Sequence, residues 1–254
     1  MDSSPPFNLR PAATLVIFRQ SSAHNPPELL MVERSQAMRF AAGATVFPGG
    51  KVDPQDMELA QSLKEADPID AAARIAAIRE TLEETGLGLG FTRKLNMDEA
   101  AAARAILQSG GAMGEVLSRL DLALDLAALT PFARWLRQSV GGFDTRFYLA
   151  NIGTGAVDLA VDATENSRLF WASAQESLNG AAQGRLKIIL PTMLNLHRLA
   201  QFADFAQARA NAEAHPVAPI SALRAMREGE ECLTIPEGLG YPITALPLSA
   251  ALRG

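Results

Sequence analysis

Cysteine is nearly absent: Cys232 is the only one in 254 residues. No intrachain disulfide can form, which fits a reducing compartment such as the cytoplasm. No histidine lies near Cys232 in sequence, so it reads as a structural residue rather than a nucleophile. Histidine is also scarce. His24, His197 and His215 are too scattered for metal-ligand spacing and read as structural or exposed. An excess of positive charge is missing too. Lysine and arginine total 23 against 28 acidic residues, a net charge of -5, so nothing favours a nucleic-acid or acidic-membrane partner. An anionic ligand would have to be met locally, by metal ions and a few arginines. Long hydrophobic runs are lacking as well: Leu122–Leu129 is short and interrupted by Asp125, so no membrane span is expected. The opening MDSSPPFNLRPAA carries no apolar core behind basic residues and does not read as a signal peptide, and Leu-Arg-Gly at the end is no peroxisomal address.

Periodicity is what the chain does have. Residues 1–10 read as a loose arm, with Pro5, Pro6 and then Pro11 opposing regular structure. Ala13–Arg19 and Glu28–Arg34 read as two strands of a hairpin, and Ala44–Phe47 as a third extended piece running into Pro48-Gly49-Gly50. From Pro68 the pattern turns helical, with Ala72, Ile75, Ile78 and Leu82 at three- and four-residue steps and a stop expected near Gly86. Residues 95–129 have helical spacing and look like an inserted helical pair. Thr145–Asn151 and Arg168–Trp171 read as strands, and Lys187–Ala210 as a helix with Pro191 near its first turn. A Pro-rich extension from about residue 211 is expected to wrap irregularly on the rest. The simplest organisation is one mixed α/β (α+β) domain over residues 11–254 with helical insertions.

The segment with the most chemistry is Arg79-Glu80-Thr81-Leu82-Glu83-Glu84-Thr85-Gly86-Leu87. On a helix Glu80 and Glu84 are one turn apart with Glu83 beside them, so three carboxylates share a face. Like charges at that spacing cost roughly 0.2–0.5 kcal/mol per pair. A hard divalent cation such as Mg2+ or Mn2+, which takes oxygen ligands, would offset that cost. A solvated acidic face is the plainer alternative for three glutamates alone. The neighbours favour the ion: Gly86 closes the helix, and Phe47-Pro48-Gly49-Gly50 supplies a tight turn whose backbone can approach an ion or phosphate.

These residues resemble the Nudix signature, G-x5-E-x7-R-E-U-x-E-E-x-G-U with U a bulky aliphatic residue. Arg79 to Leu87 fits its second half, apart from Thr81 at the first U, and Gly50 fits the opening glycine. Asp56 stands where the first glutamate belongs, but 22 residues separate it from Arg79 where the pattern has seven. The excess reads as an inserted loop over about 57–69, and it puts the pairing of Asp56 with Arg79 in doubt. Upstream, Leu30 to Ser35, Arg39, Gly43 and Phe47 to Gly50 resemble the element that precedes the Nudix box in coenzyme A diphosphatases. Met31 and Val32 are the departures. An interrupted box is a trait of the peroxisomal branch of those enzymes, and Pro131–Trp135 and Phe143–Tyr148 look like segments shared with it and its bacterial relatives.

The resemblance implies a Nudix fold, a mixed sheet sandwiched between helices, and water attack on a diphosphate of a small nucleotide. It implies Glu80 and Glu84 as metal ligands, Glu83 as a third ligand or a base, and the main-chain carbonyl of Gly50 completing the shell. A further acid from a later loop falls within Asp162–Glu165, with Glu165 first, although an ordinary turn acid is an equal reading. Arg34 and Arg39, with Phe47, are candidates to bind the substrate's phosphates and nucleotide; surface salt bridges are the alternative for the two arginines. Arg79 projects about 100° from the acidic face at 3.6 residues per turn and is expected to brace the loop. Asp56 and Gly86 are expected to be structural. Coenzyme A or acyl-coenzyme A is the leading substrate, ahead of another nucleoside diphosphate derivative, and a non-catalytic nucleotide sensor is the reading from a different class. The surviving glutamates speak against that sensor. A homodimer is left open.

Overall fold

The computed structural model describes residues 8–20, 25–37, 41–154 and 166–251. Arg39, His24, Asp162 and Glu165 lie outside the described residues. The chain begins with strands β1 (Arg10–Gln20) and β2 (Glu28–Arg34), the expected hairpin, followed by short strands β3 (Ala44–Val46) and β4 (Gly49–Lys51). Helices α1 (Pro54–Ser62) and α2 (Pro68–Thr85) come next, then the expected inserted pair, α3 (Met97–Gln108) and α4 (Met113–Leu120). Strands β5 (Thr130–Leu136), β6 (Phe143–Thr154) and β7 (Asn166–Ser173) complete the middle of the chain. Helix α5 (Ala174–Ala182), strand β8 (Lys187–Ile188), helices α6 (Leu190–Leu199) and α7 (Phe205–Ala214), and strands β9 (Pro219–Ile220), β10 (Leu223–Arg227), β11 (Glu230–Thr234) and β12 (Ala245–Pro247) follow.

The main sheet runs β8-β3-β2-β1-β6-β5-β9 and is mixed. Its centre is the parallel pair β1–β6, in register from Arg10 opposite Phe143 to Phe18 opposite Asn151. On its other edge β1 changes partner: β2 pairs near its end, at Phe18 and Arg19, and β4 near its start, from Ala12 to Thr14. Side chains alternate across β1 because successive Cβ atoms point to opposite faces. Ala13, Leu15 and Ile17 pack with Ile75, Ile78 and Leu82 of α2, while Val16 and Phe18 join Phe132, Trp135 and Phe147 under α5 to α7. Helices therefore cover both faces of the sheet, as expected.

Three expectations are corrected. The stretch 57–69 is not a loop, since its first part completes α1; Pro54 fits the first turn and the Asp53 N–H donates to Asp56 Oδ2 at 2.9 Å. The helix expected over Lys187–Ala210 is broken. Residues 187–188 form β8 against β3, and a second helix restarts at Phe205, where Asp204 accepts from the Gln207 N–H at 2.8 Å. The Pro-rich extension is not irregular either: β9 joins the main sheet beside β5, and β10, β11 and β12 form a small sheet of their own. Glu228 and Gly229, both at positive φ, make the two-residue turn between β10 and β11.

Candidate active site

The site is built on α2. Asp67 accepts hydrogen bonds from the Ile69 and Asp70 N–H groups at 3.0 Å, Pro68 opens the first turn, and Gly86, at φ +77°, closes the last with its N–H on the Leu82 carbonyl. The buried apolar residues of α2 lock its rotation against the sheet, which turns Glu80, Glu83 and Glu84 toward β4. All three line one open cleft of about 1680 Å³ with Gly49, Gly50 and Lys51. Arg34 and Phe47 line the same cleft.

The carboxylates are held by the β4 backbone and by Arg79. Glu84 accepts from the Gly49 N–H at 3.0 Å. Gly49 sits at φ +153°, and a Cβ there would fall 2.3 Å from the Ala13 carbonyl oxygen. Glu80 lies so close to Gly50 that a Cβ at Gly50 would fall 2.3 Å from its carboxylate. Glycine at both positions is what lets backbone and carboxylates meet. Glu83 and Glu80 both accept from Arg79 Nη1, at 3.4 and 3.0 Å.

Arg79 is 6 % exposed and ties the site together. Its Nε and Nη2 clasp Asp56 at 3.1 and 2.9 Å, and Nη2 also donates to the Lys51 carbonyl at 2.9 Å. The pairing that the 22-residue spacing put in doubt is made, because α1 carries Asp56 back to α2 and buries it at 1 % exposure. One detail differs from the sequence reading: Arg79 reaches the acidic face as well as the loop, since its long stem folds back toward Glu80 and Glu83.

Electrostatics follow from this packing. Burial pushes the Glu80 carboxyl up to about 8, with Glu84 and Glu83 adding to the rise and Arg79 opposing it. Burial also raises Glu83, again against Arg79 and with Asp53 and Asp56 adding. Burial alone would lower Arg79, but Asp56, Glu80 and Glu83 outweigh it and hold the guanidinium charged. Carboxylates held close against their own charge are strong candidates for a cation. Among the described residues no three His, Cys, Asp or Glu side chains converge as a ligand set. The donors nevertheless suit a hard ion by type, being carboxylate oxygens beside a glycine backbone in one cleft, with the Glu80 carboxylate seated directly on Gly50.

Other anticipated residues fall in place or away from the site. Arg34 has its Nε buried and without a hydrogen-bond partner among the described residues. His197 is half-buried on α6, where burial lowers it, and His215 Nδ1 lies 2.8 Å from the Asn211 carbonyl. Cys232 is buried on β11, within the small sheet of β10 to β12. Two residues of this neighbourhood were not anticipated. Lys51 contributes its carbonyl to Arg79, and Arg104 of α3 donates from Nε to the Glu83 carbonyl at 2.8 Å. Nothing local in sequence marks Arg104, whose role arises only from the packing of α3 on α2.

A family profile described as NUDIX domain matches residues 8–104. Among solved structures, a NUDIX hydrolase from Alicyclobacillus acidocaldarius is 32% identical at a TM-score of 0.68, covering 81% of this chain and 97% of its own. Among curated proteins, the putative nudix hydrolase 7 of Caenorhabditis elegans is 28% identical over 77% of this chain and 62% of its own length. The acyl-coenzyme A diphosphatase NUDT19 of Gallus gallus is 25% identical over 70% of this chain and 62% of its own. The chain thus spans about three fifths of the length of these two curated relatives.

Proposed function

Because this chain belongs to the Nudix hydrolase family, we propose that it hydrolyses the diphosphate bond of a nucleotide derivative with the help of divalent metal ions, and that the substrate is coenzyme A or an acyl-coenzyme A. The observation that carries the reading is the Asp56–Arg79 anchor, which sets Glu80, Glu83 and Glu84 against the Gly49–Gly50 turn inside one cleft. The coenzyme A assignment is supported by the match to the acyl-coenzyme A diphosphatase of Gallus gallus and by the element from Leu30 to Gly50.

Glu80, Glu84, Glu83 and the Gly50 carbonyl would hold the ions, Mg2+ or Mn2+. Such ions, when bound, neutralise charge on the phosphate oxygens and make an attacking water more acidic. The protein's own part is positional. Arg79 fixes the rotamers of Glu80 and Glu83, and the Gly49 N–H fixes Glu84. Glu83 or Glu80 takes the proton of the attacking water; Glu165 is a further acid proposed for that step. Arg34 and Arg39 bind the phosphates, with Phe47 lining the same cleft as Arg34.

A screen of coenzyme A, acyl-coenzyme A, nucleotide sugars and dinucleotides, with Mg2+ and with Mn2+, tests this directly. Mass analysis should show 4′-phosphopantetheine and adenosine 3′,5′-bisphosphate from coenzyme A. Turnover confined to nucleotide sugars or dinucleotides would replace the substrate; turnover of nothing with either ion would overturn the activity.

A further inference from the structure

The cleft does not end at the glutamates. It continues along the sheet to Arg10, Phe143 and Arg137. These three are neighbours across adjacent segments: Arg10 is in register with Phe143, and the Arg137 N–H donates to the Phe143 carbonyl at 2.8 Å. The Arg10 guanidinium lies 4.2 Å from the centroid of the Phe143 ring, and its Nη2 donates to the Gly141 carbonyl. Ring and carbonyl together hold it in place without neutralising it. Among the described residues no carboxylate is ion-paired with Arg10, whereas Arg79 at the other end of the cleft meets four.

Register gives the spacing. Gly50, which seats Glu80, lies opposite Ala13, and Arg10 is three residues further along β1, on the order of 10 Å away. Arg137 lies two strands across from β1, roughly another 9–10 Å to the side. Ala12 and Thr145, paired across β1 and β6, floor the space between with small side chains. A diphosphate held at the glutamates is therefore not the group these guanidinia address.

We propose that Arg10 and Arg137, flanking Phe143, form a subsite for a second anionic group of the substrate, a phosphomonoester remote from the diphosphate. This rests on reading the cleft as a diphosphatase site. Guanidinium forks match phosphate oxygens in pairs, and a dianion uses two forks where a monoanionic carboxylate is satisfied by one.

Coenzyme A and dephospho-coenzyme A differ by one such group and share the diphosphate, so their kcat/KM ratio reads the subsite. The wild type should favour coenzyme A, and Arg10→Ala or Arg137→Ala should each lower that ratio roughly ten- to a hundredfold. Arg209→Ala, an exposed change on α7, is the control and should leave the ratio alone. An unchanged ratio in both subsite variants, or equal losses on both substrates, would overturn the proposal. If neither compound is hydrolysed, the coenzyme A reading fails, and calorimetry with adenosine 3′,5′-bisphosphate against AMP decides the subsite. Preference for the bisphosphate that both variants lose supports it; equal binding of the two ligands by wild type overturns it. Melting temperatures check that each variant is folded.

Discussion

At the scale of single residues the site is a balance between one guanidinium and several carboxylates that cannot all be satisfied by it. Glu84 is 5 % exposed and held by a backbone N–H rather than by Arg79. Glu84→Gln keeps an oxygen for the Gly49 N–H while removing the charge a hard cation needs. Turnover should fall on the order of a hundredfold or more. The metal-free fold should stand, even steadied by a few tenths of a kcal/mol as repulsion with Glu80 is relieved. Steady-state hydrolysis across a Mg2+ titration, with melting measured separately, reads both effects; full activity at matched metal would remove Glu84 from the ligand set. Arg79 behaves differently because its loss strands a buried partner. Arg79→Met leaves Asp56 uncompensated at 1 % exposure, and breaking a buried pair of this kind costs about 3–5 kcal/mol. Urea unfolding should show that loss, whereas a change under about 1 kcal/mol, the range of a surface pair, would mean the clasp is not structural.

Elements were legible in sequence where their signal is local and repeated. β1 and β2 announce themselves by branched apolar runs, and α2 by Ala72, Ile75, Ile78 and Leu82 between Pro68 and Gly86. The acidic face was legible for the same reason, since helical spacing alone gathers Glu80, Glu83 and Glu84. Elements with weak periodicity were missed. In α1 the buried residues are only Asp56 and Ala60, so the stretch reads as polar, although Asp53-Pro54 with Asp56 behind it is a helix-start pattern. The β10–β11 turn is Glu228-Gly229 rather than an asparagine–glycine pair, and the prolines on either side of the hairpin suggested irregularity instead. The Arg104 contact was invisible because it is tertiary: it satisfies a carbonyl in the last turn of α2 that the helix cannot satisfy itself. As a positioning residue it should matter more for rate than for stability. Arg104→Ala should cost about 1 kcal/mol of stability and several-fold in kcat with little change in KM, and Arg104→Lys should recover part of the rate. A loss of activity no larger than the unfolded fraction explains would reduce Arg104 to a packing residue.

For the whole molecule, the question is what couples the site-bearing helix to the rest of the fold at its far end. Asp70, in the first turn of α2, meets Arg74 at 2.6 Å, Arg146 of β6 at 2.9 Å and the Tyr148 hydroxyl at 2.8 Å. Arg74 in turn donates to the Leu126 carbonyl at 2.7 Å, beside the inserted helices. One carboxylate therefore joins α2, the central strand β6 and the insertion. Burial alone would raise Asp70, but hydrogen bonds from Arg74, Tyr148 and Arg146 outweigh it and hold the group below its ordinary 3.8. Because the folded value is depressed, the group contributes stability above its unfolded pKa, and that contribution is lost as pH falls through the folded value. Asp70→Asn removes the titrating charge. The wild type should be the more stable of the two near neutrality, by a margin that stays flat down to about pH 5 and shrinks steadily below about pH 4. Thermal melting of both proteins from pH 7 to pH 2 measures that margin. Rearrangement of Tyr148 toward another partner would instead give a pH-independent margin, and a margin that grows on acidification would reverse the sign required by a depressed carboxyl.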